Sequence, residues 1–478
     1  MLRKLDKIKK IPNNIKATFV FAIASFATSG INYITTPIFT RLLSTSEYGL
    51  ISVYNSWFEI VRVFASLTLI FPGILNVGLY ENSNNRWKYL SSMLGMTATS
   101  TMFLAFLYAF FCEQINSILN LPTSLMILMI LMCFFQPATI FWTQKQRYEI
   151  KYKITFFVSV GSAVAAQIIS VLCVVWLKKT EINLAIVRLW STGITNIFVA
   201  LYLYVYICKK GERYIDYSLW RRTVFVAIPL IPHYLSTVVL SSTDKIMIGQ
   251  MVSQSKTGIY SLAAILSAMG VLIWRALSVT YTPFVNKKLG ERNFQQIRDA
   301  VKPLLFVVGA FCIMTALAGP EIISVLATPE YYEGVYVVPP IAASIFTTAL
   351  YDNITAISFF HKKSINIMLA TVVAAISNIV LNYIFIKQFG YIAAGYTTLI
   401  SHLILTGLHY MNSRKIEPEK IYDSKYCLVS VIVITVVCLF CNLLYGYTWI
   451  RYILILITLI VIYQQRNKII AVISSMKA

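Results

Sequence analysis

Apolar runs long enough to cross a lipid bilayer recur along this whole chain, and that recurrence constrains its fold more than any other feature. A helix rising 1.5 Å per residue needs about 20 apolar residues to cross a hydrocarbon core of about 30 Å. Spans are expected near residues 15–40, 48–80, 87–112, 118–143, 154–177, 184–208, 219–250, 257–285, 299–326, 336–360, 365–386, 390–411, 426–445 and 447–464. Hydrophobic residues make up 58% of the chain and charged residues 13%, too little polar surface for a soluble domain. Inside lipid the backbone must satisfy its own hydrogen bonds. The expectation is an all-α polytopic membrane protein with about 14 transmembrane helices.

Loop charge gives an independent check, because Lys and Arg accumulate on the cytoplasmic side. Of 41 such residues, 31 fall in the N-terminal tail, every second loop and the C-terminal tail. The opposite loops hold 7, namely Arg41, Lys178, Lys179, Lys245, Lys256, Lys387 and Arg451, while Arg62, Arg188 and Arg275 lie inside spans. Both termini are therefore expected in the cytoplasm. The net charge of +22 is then mainly a topology signal, with some attraction to anionic membrane lipids, and no nucleic-acid partner is expected. The basic start MLRKLDKIKK leads into an apolar stretch that runs to Pro37, too long for a cleaved secretory signal, so a retained first span is expected. Eight cysteines show no CxxC and no His at metal spacing, and read as small buried apolar groups.

Two polar hairpins organise the spans. The first is RLLSTSEYGL, Arg41 to Leu50; the second is DKIMIGQMVSQSKTGIY, Asp244 to Tyr260. Each is a short polar turn leading to a glycine followed by an apolar span. Together with the TGIYSLA string that continues the second hairpin, they resemble polysaccharide-type members of the multidrug/oligosaccharidyl-lipid/polysaccharide (MOP) exporter superfamily, which flip lipid-linked oligosaccharides. Superposing Gly49 on Gly258, 209 residues later, lays spans 1 and 2 on spans 7 and 8. Two six-helix lobes are expected, related by a pseudo-two-fold along the membrane normal, because each half begins on the cytoplasmic side. The N-lobe is 1–208, a basic cytoplasmic linker is 209–222, the C-lobe is 223–411, and 412–478 holds two peripheral helices and a tail.

Polar stripes at helical spacing mark the faces that avoid lipid. Span 1 offers Ser25, Ser29, Asn32 and Thr36; span 2 offers Asn55, Glu59, Arg62 and Ser66; span 7 offers His233, Thr237 and Asp244. Span 8 carries small residues, Ser261, Ala264, Ala268, Ser278 and Thr282, around Arg275. Asn32, Asn55, Glu59 and His233 are expected to line a central cavity, as the resemblance also implies for these spans. An arginine inside a bilayer costs roughly 2.5–3.5 kcal/mol on insertion scales, so it faces protein or water and usually has a function. Arg62 and Arg275 fall at nearly the same depth under the repeat. Their forked guanidinium groups suit a lipid pyrophosphate, with simple neutralisation of Arg62 by Glu59 as the alternative. Arg41, Glu47, Asp244 and Lys245 belong to the hairpins and are expected at a gate or in a hairpin ion pair. Asp244 and Asp352 are the candidates for a coupling-ion carboxylate, and His233 either titrates or is a hydrogen-bonded structural histidine.

The resemblance implies a flippase, not an enzyme. Its substrate would be an undecaprenyl-pyrophosphate-linked oligosaccharide moved to the outer leaflet of a bacterial cytoplasmic (inner) membrane, for O-antigen, capsule or related polysaccharide assembly. Polysaccharide polymerase and chain-length proteins are the further partners such a pathway offers. No cofactor is expected, apart from a proton or sodium gradient. A membrane glycosyltransferase or polymerase is the alternative, yet the longest external loop is short and no GxSxG, HExxH, DxD or Walker string appears. A small-molecule exporter of the same superfamily is the other, although a cationic cleft would repel cationic drugs. The alternation of loops is testable: a cysteine at Ser255 should label from outside the membrane and one at Asn293 from inside. Labelling of either from the opposite side would remove the span register.

Overall fold

The computed structural model describes residues 13–267, 269–419 and 421–476. The basic N-terminal decapeptide and Ala268 of the small-residue stripe lie outside the described residues. Every expected span falls largely on helix. In order these are α1 (Asn13–Leu42), α2 (Thr45–Ala65), α3 (Pro72–Glu81), α4 (Arg86–Phe110), α5 (Cys112–Leu119), α6 (Thr123–Tyr148), α7 (Tyr152–Leu177), α8 (Leu184–Gly211) and α9 (Tyr217–Ala227). There follow α10 (Ile231–Met251), α11 (Gln254–Ser267), α12 (Met269–Gly290), α13 (Phe294–Leu317), α14 (Gly319–Leu326), α15 (Val338–Phe360), α16 (Ser364–Phe389), α17 (Ala393–Ile416), α18 (Ser424–Phe440) and α19 (Thr448–Ser475). By length and composition alone, 11 helical stretches among the described residues can cross a membrane. The other three expected spans fall on α1, on α2 with α3, and on α17. The second of these is broken in two, and α17 carries the polar run Thr397, Thr398, Ser401 and His402.

The chain packs as two compact units. One contains the chain up to Leu43 together with Tyr54–Leu235; the other contains Ser44–Val53 and Ser236–Ala478. Packing thus changes unit inside the seventh expected span, whereas the sequence places the lobe boundary in the linker 209–222. The reason lies in the start of that span. Trp220 of α9 donates its indole N–H to the carbonyl of Ser92 at 2.8 Å, Ala227 is fully buried in the first unit's core, and Tyr234 stacks on Phe71 at 3.9 Å. Pro229 and Pro232 stand just before this transition, and Ile228–Leu230 is a 3-10 turn that interrupts the α-helix where proline removes an amide donor.

The first unit is built on Leu69, Leu75, Leu79, Leu90, Met93, Leu94 and Phe141, all buried together. Its second span is not continuous. Between α2 and α3, Leu67 and Thr68 both adopt the left-handed conformation, at φ 48° and 63°, which costs a non-glycine residue roughly 1–2 kcal/mol. The irregular backbone survives because it is largely buried and backbone groups here are paired: Thr68 N donates to Val63 O at 3.2 Å and Ser100 Oγ to Phe64 O at 3.0 Å. Beyond the end of α6, Glu149 collects Lys145 at 2.6 Å, Lys151 at 2.9 Å and Arg86 at 3.5 Å. Burial alone would push this carboxyl up, but the hydrogen bonds from Lys145 and Lys151 outweigh it and hold the group below the usual range. That stabilisation is complete above the ordinary glutamate pKa and is lost as pH falls through the lowered one.

In the second unit α15 is the axis: the span that contains it is 83% buried. By contrast the spans containing α18 and α19 are only 22% and 6% buried, as peripheral helices should be. Arg451, 2% exposed, ties the first turn of α19 inward through Glu321 at 2.6 Å and the carbonyl of Leu317 at 2.9 Å. The two hairpins meet in this unit. A Cβ on Gly49 would lie 1.7 Å from the carbonyl oxygen of Gln254, and one on Gly258 would lie 2.1 Å from that of Thr45. Gln254 stands 209 residues after Thr45, the same interval as between the glycines, so the contact is reciprocal, as a two-fold relation demands. The Thr45 and Ser255 hydroxyls share a hydrogen bond at 2.7 Å beside it. Gly49→Ala should therefore lower stability by about 1–3 kcal/mol through overpacking, read as a fall in thermal midpoint in detergent; an unchanged midpoint would show that the crossing gives way freely.

Candidate functional site

Charges and amides inside apolar helices define the candidate sites, because nothing in lipid can solvate them. In the first unit, Arg62 Nη2 meets Glu59 Oε2 at 2.5 Å on the same helix, an i,i+3 pair with both side chains partly exposed. The local neutralisation that the sequence left open is thus formed. Asn55 of the same stripe is exposed. Asn32 accepts a hydrogen bond from Gln167 Nε2 of α7 at 3.1 Å, so it links two helices and remains exposed. His233 is half-buried, with its ring 5.3 Å from that of Tyr234. Arg41 is exposed, and its guanidinium turns back along its own helix toward Pro37 O at 3.4 Å.

Glu47 has a local role. Its Oε2 accepts from Ser44 N at 2.9 Å and Ser44 Oγ at 3.0 Å, while Glu47 N donates to Ser44 Oγ at 3.2 Å. This is a capping box at the start of α2, written in the sequence as S-T-S-E. It fixes where the helix that carries Gly49 begins.

The second unit holds the most elaborate polar cluster. Asp244 of α10 is 4% exposed, and its carboxylate is met by Tyr260 Oη at 2.6 Å, Asn382 Nδ2 at 2.6 Å and Thr398 Oγ1 at 2.5 Å. Those donors come from α11, α16 and α17. Asn382 also donates to Asn378 Oδ1 at 3.1 Å and accepts from Thr397 Oγ1. Asp244 is thus caged by neutral oxygen- and nitrogen-bearing side chains, rather than held in the expected hairpin pair with its half-buried neighbour Lys245. Asn378 Nδ2 is buried without a hydrogen-bond partner. One carboxylate, two amides and two threonine hydroxyls gather oxygen ligands of the kind that hard cations select. Among the described residues no group of three His, Cys, Asp or Glu side chains could hold a metal.

Sequence reasoning singled out Asp244 but missed its cage. The signal was present in α16, where Asn378 and Asn382 stand one turn apart in the middle of a largely apolar helix. Nothing linear, however, connects them to residue 244. Arg275 of α12 and Asp352 of α15, separate candidates in the sequence, come within electrostatic reach of each other in this unit. Asp352 Oδ2 also accepts the indole N–H of Trp274 at 2.9 Å. Asp244→Ala should lower membrane abundance severalfold, because three buried donors lose their acceptor, while Asp244→Asn, which keeps the shape and an acceptor oxygen, should lower it less. Equal abundance of both variants would show that the cage has no part in folding.

Comparison with known proteins follows the same lines. The profile of the family described as "Polysaccharide biosynthesis protein" matches residues 15–284, and that of MatE matches residues 229–384. A probable low-salt glycan biosynthesis flippase, Agl15, of Haloferax volcanii is 26% identical over 178 residues, 36% of this chain and 37% of that protein. The chain thus matches little more than a third of that relative's length. An uncharacterized membrane protein of Haemophilus influenzae is 21% identical over 370 residues, 75% of this chain and 87% of that protein. In fold, the chain is similar to the lipid II flippase MurJ in an inward closed conformation, with TM-score 0.68, 15% identity and coverage of 94% of this chain and 99% of that one. A multidrug resistance MATE family transporter of the MOP superfamily, in an inward-facing conformation, superposes with TM-score 0.59, 11% identity and coverage of 84% and 98%.

Proposed function

The chain belongs to the polysaccharide biosynthesis protein family, and from that premise we propose that it is a flippase of the MOP superfamily that moves an undecaprenyl-pyrophosphate-linked oligosaccharide across a bacterial cytoplasmic membrane, for assembly of O-antigen, capsule or a related polymer. The observation that carries this reading is Arg275, an exposed arginine in the interior of an apolar helix. A guanidinium at that depth has little reason to stay accessible unless an anion visits it, and its planar fork matches phosphate oxygens. Arg275 is the proposed pyrophosphate contact of the second unit. Arg62 is the proposed contact of the first, reached when a ligand displaces Glu59. Polymerase and chain-length proteins are proposed partners downstream.

Energy supports the direction. Moving about two negative charges outward, down a negative-inside potential, gains roughly 2.3 kcal/mol per charge per 100 mV. Export is thereby electrically favoured, and alternating access needs a cation chiefly to reset the empty protein. Asp244 is the proposed carboxylate for that cation, with oxygens of Asn378, Asn382, Thr397 and Thr398 completing the ligand set; sodium fits such a set, and a proton on Asp244 is the other form the coupling could take.

Translocation in proteoliposomes, measured beside membrane abundance, tests the assignment. Arg275→Lys keeps the charge but loses the fork, and should retain no more than about a tenth of the activity. Arg275→Ala should abolish it, whereas full activity of this variant at normal abundance would sink the reading. Asp244→Asn should flatten the sodium or pH profile, and an unchanged profile in both would remove Asp244 from coupling.

A further inference from the structure

Arg275 has no acid near it in sequence; the fold supplies Asp352, 77 residues later. The two charges are neighbours without touching. Among the described residues they make no direct ion pair, because the carboxylate is engaged elsewhere: Trp274, the residue before the arginine, donates its indole N–H to Asp352 Oδ2 at 2.9 Å. Both charged side chains are exposed. Asp352 is held on one side by the Trp274 indole, and its own helix belongs to a span that is 83% buried.

The surroundings of Asp352 can be named from each element. From α12 come Trp274 and Arg275, and on its own helix Tyr351 lies beside it. From α17, His409 stacks on Tyr351 with ring centroids 5.7 Å apart, and His402 lies 6.3 Å from the same ring. His402 Nδ1 shares a hydrogen bond with Thr348 Oγ1 at 3.1 Å. The other helices packed on α15 add no charge to Asp352 among the described residues. One cation and one anion therefore share a neighbourhood of aromatic and imidazole rings, and each partly neutralises the other. The indole holds one oxygen of the carboxylate, and the guanidinium of Arg275 makes no ion pair with it among the described residues.

A phosphate on Arg275 would place new negative charge beside an existing carboxylate. Two like charges in such a place cannot both remain ionised cheaply, and the weaker acid of the two takes a proton. We propose that Asp352 is the exchangeable counter-ion of Arg275: ionised, it balances the guanidinium of the empty protein; as a phosphate-bearing ligand docks on Arg275, its carboxylate oxygen takes one proton from water, and it gives that proton back when the ligand leaves. The proposal deepens the reading of Arg275 as an anion contact and rests on it. It makes loading of the anion and uptake of a proton one event, so the bound state carries one negative charge fewer than the ligand alone would bring. Affinity for the anion should rise as pH falls, by up to about tenfold per unit in the window where Asp352 is ionised in the empty protein and protonated in the complex.

Titration calorimetry of the purified full chain in lipid nanodiscs, with inorganic pyrophosphate as the probe and two buffers of different ionisation enthalpy, counts protons directly. The wild type should take up as much as one proton per pyrophosphate beyond the probe's own contribution. Asp352→Asn should take up none beyond it and should bind tenfold or more tighter at the alkaline end, while Asp352→Glu should restore the uptake. Binding with equal uptake in wild type and Asp352→Asn would overturn the counter-ion role and leave the anion contact standing. Absence of binding to the wild type would overturn both. If Asp352→Asn does not fold, Trp274→Phe tests the same claim: the released carboxylate should close on Arg275 and weaken pyrophosphate binding severalfold with proton uptake kept, and unchanged affinity would refute it.

Discussion

A hydrogen bond or a charge buried in a bilayer finds no water to answer it, and most features of this structure follow from that one constraint. Where the backbone leaves the helix between α2 and α3, side-chain hydroxyls and neighbouring amides supply the missing partners. Where an aspartate enters α10, three helices each contribute a donor to it. Arg451 reaches a carbonyl and Glu321 in the same way, and by doing so anchors a helix that lipid otherwise surrounds. The polar groups serve as joints, so their positions mark where helices must be held in register.

The same constraint separates structural from functional charge. Glu149 is fully engaged by cations, and Asp244 by three neutral donors. Arg275 and Asp352 are different in kind: they are exposed, close, and not joined. A pair built only for stability would close. Keeping it open has an electrostatic cost that a visiting anion can offset, which is why this site, rather than the better satisfied cage, is the one proposed for the ligand.

The glycine crossing adds a steric counterpart. With Cβ atoms excluded at Gly49 and Gly258, the starts of α2 and α11 approach backbone to backbone, and Thr45 and Ser255 close the contact with a hydrogen bond. The capping box of Ser44 and Glu47 sets the first turn of α2. A one-residue shift of either helix start would move a side chain into the crossing.

The chain by itself determined the helical membrane class, the position of its spans and the repeat of 209 residues, because apolar length and glycine position are local properties that lipid leaves no freedom to override. It also showed which charges were anomalous: Arg62, Arg275, Asp244 and Asp352 stand out in apolar runs. It even contained the partner of Arg62, since Glu59 lies one turn away on the same helix. What it could not contain was the partner of a residue on a different helix. Asn382 and Thr398 meet Asp244 across 138 and 154 residues of chain, and Trp274 meets Asp352 across 78. Those contacts depend on how helices rotate and pack about α15, and many rotations satisfy an apolar pattern equally well. The break at Leu67 and Thr68 was hidden for the same reason, since only a buried environment sustains two left-handed residues there. Tertiary packing alone decided which polar groups meet, because a buried polar group selects its partner by position in space and not by distance along the chain.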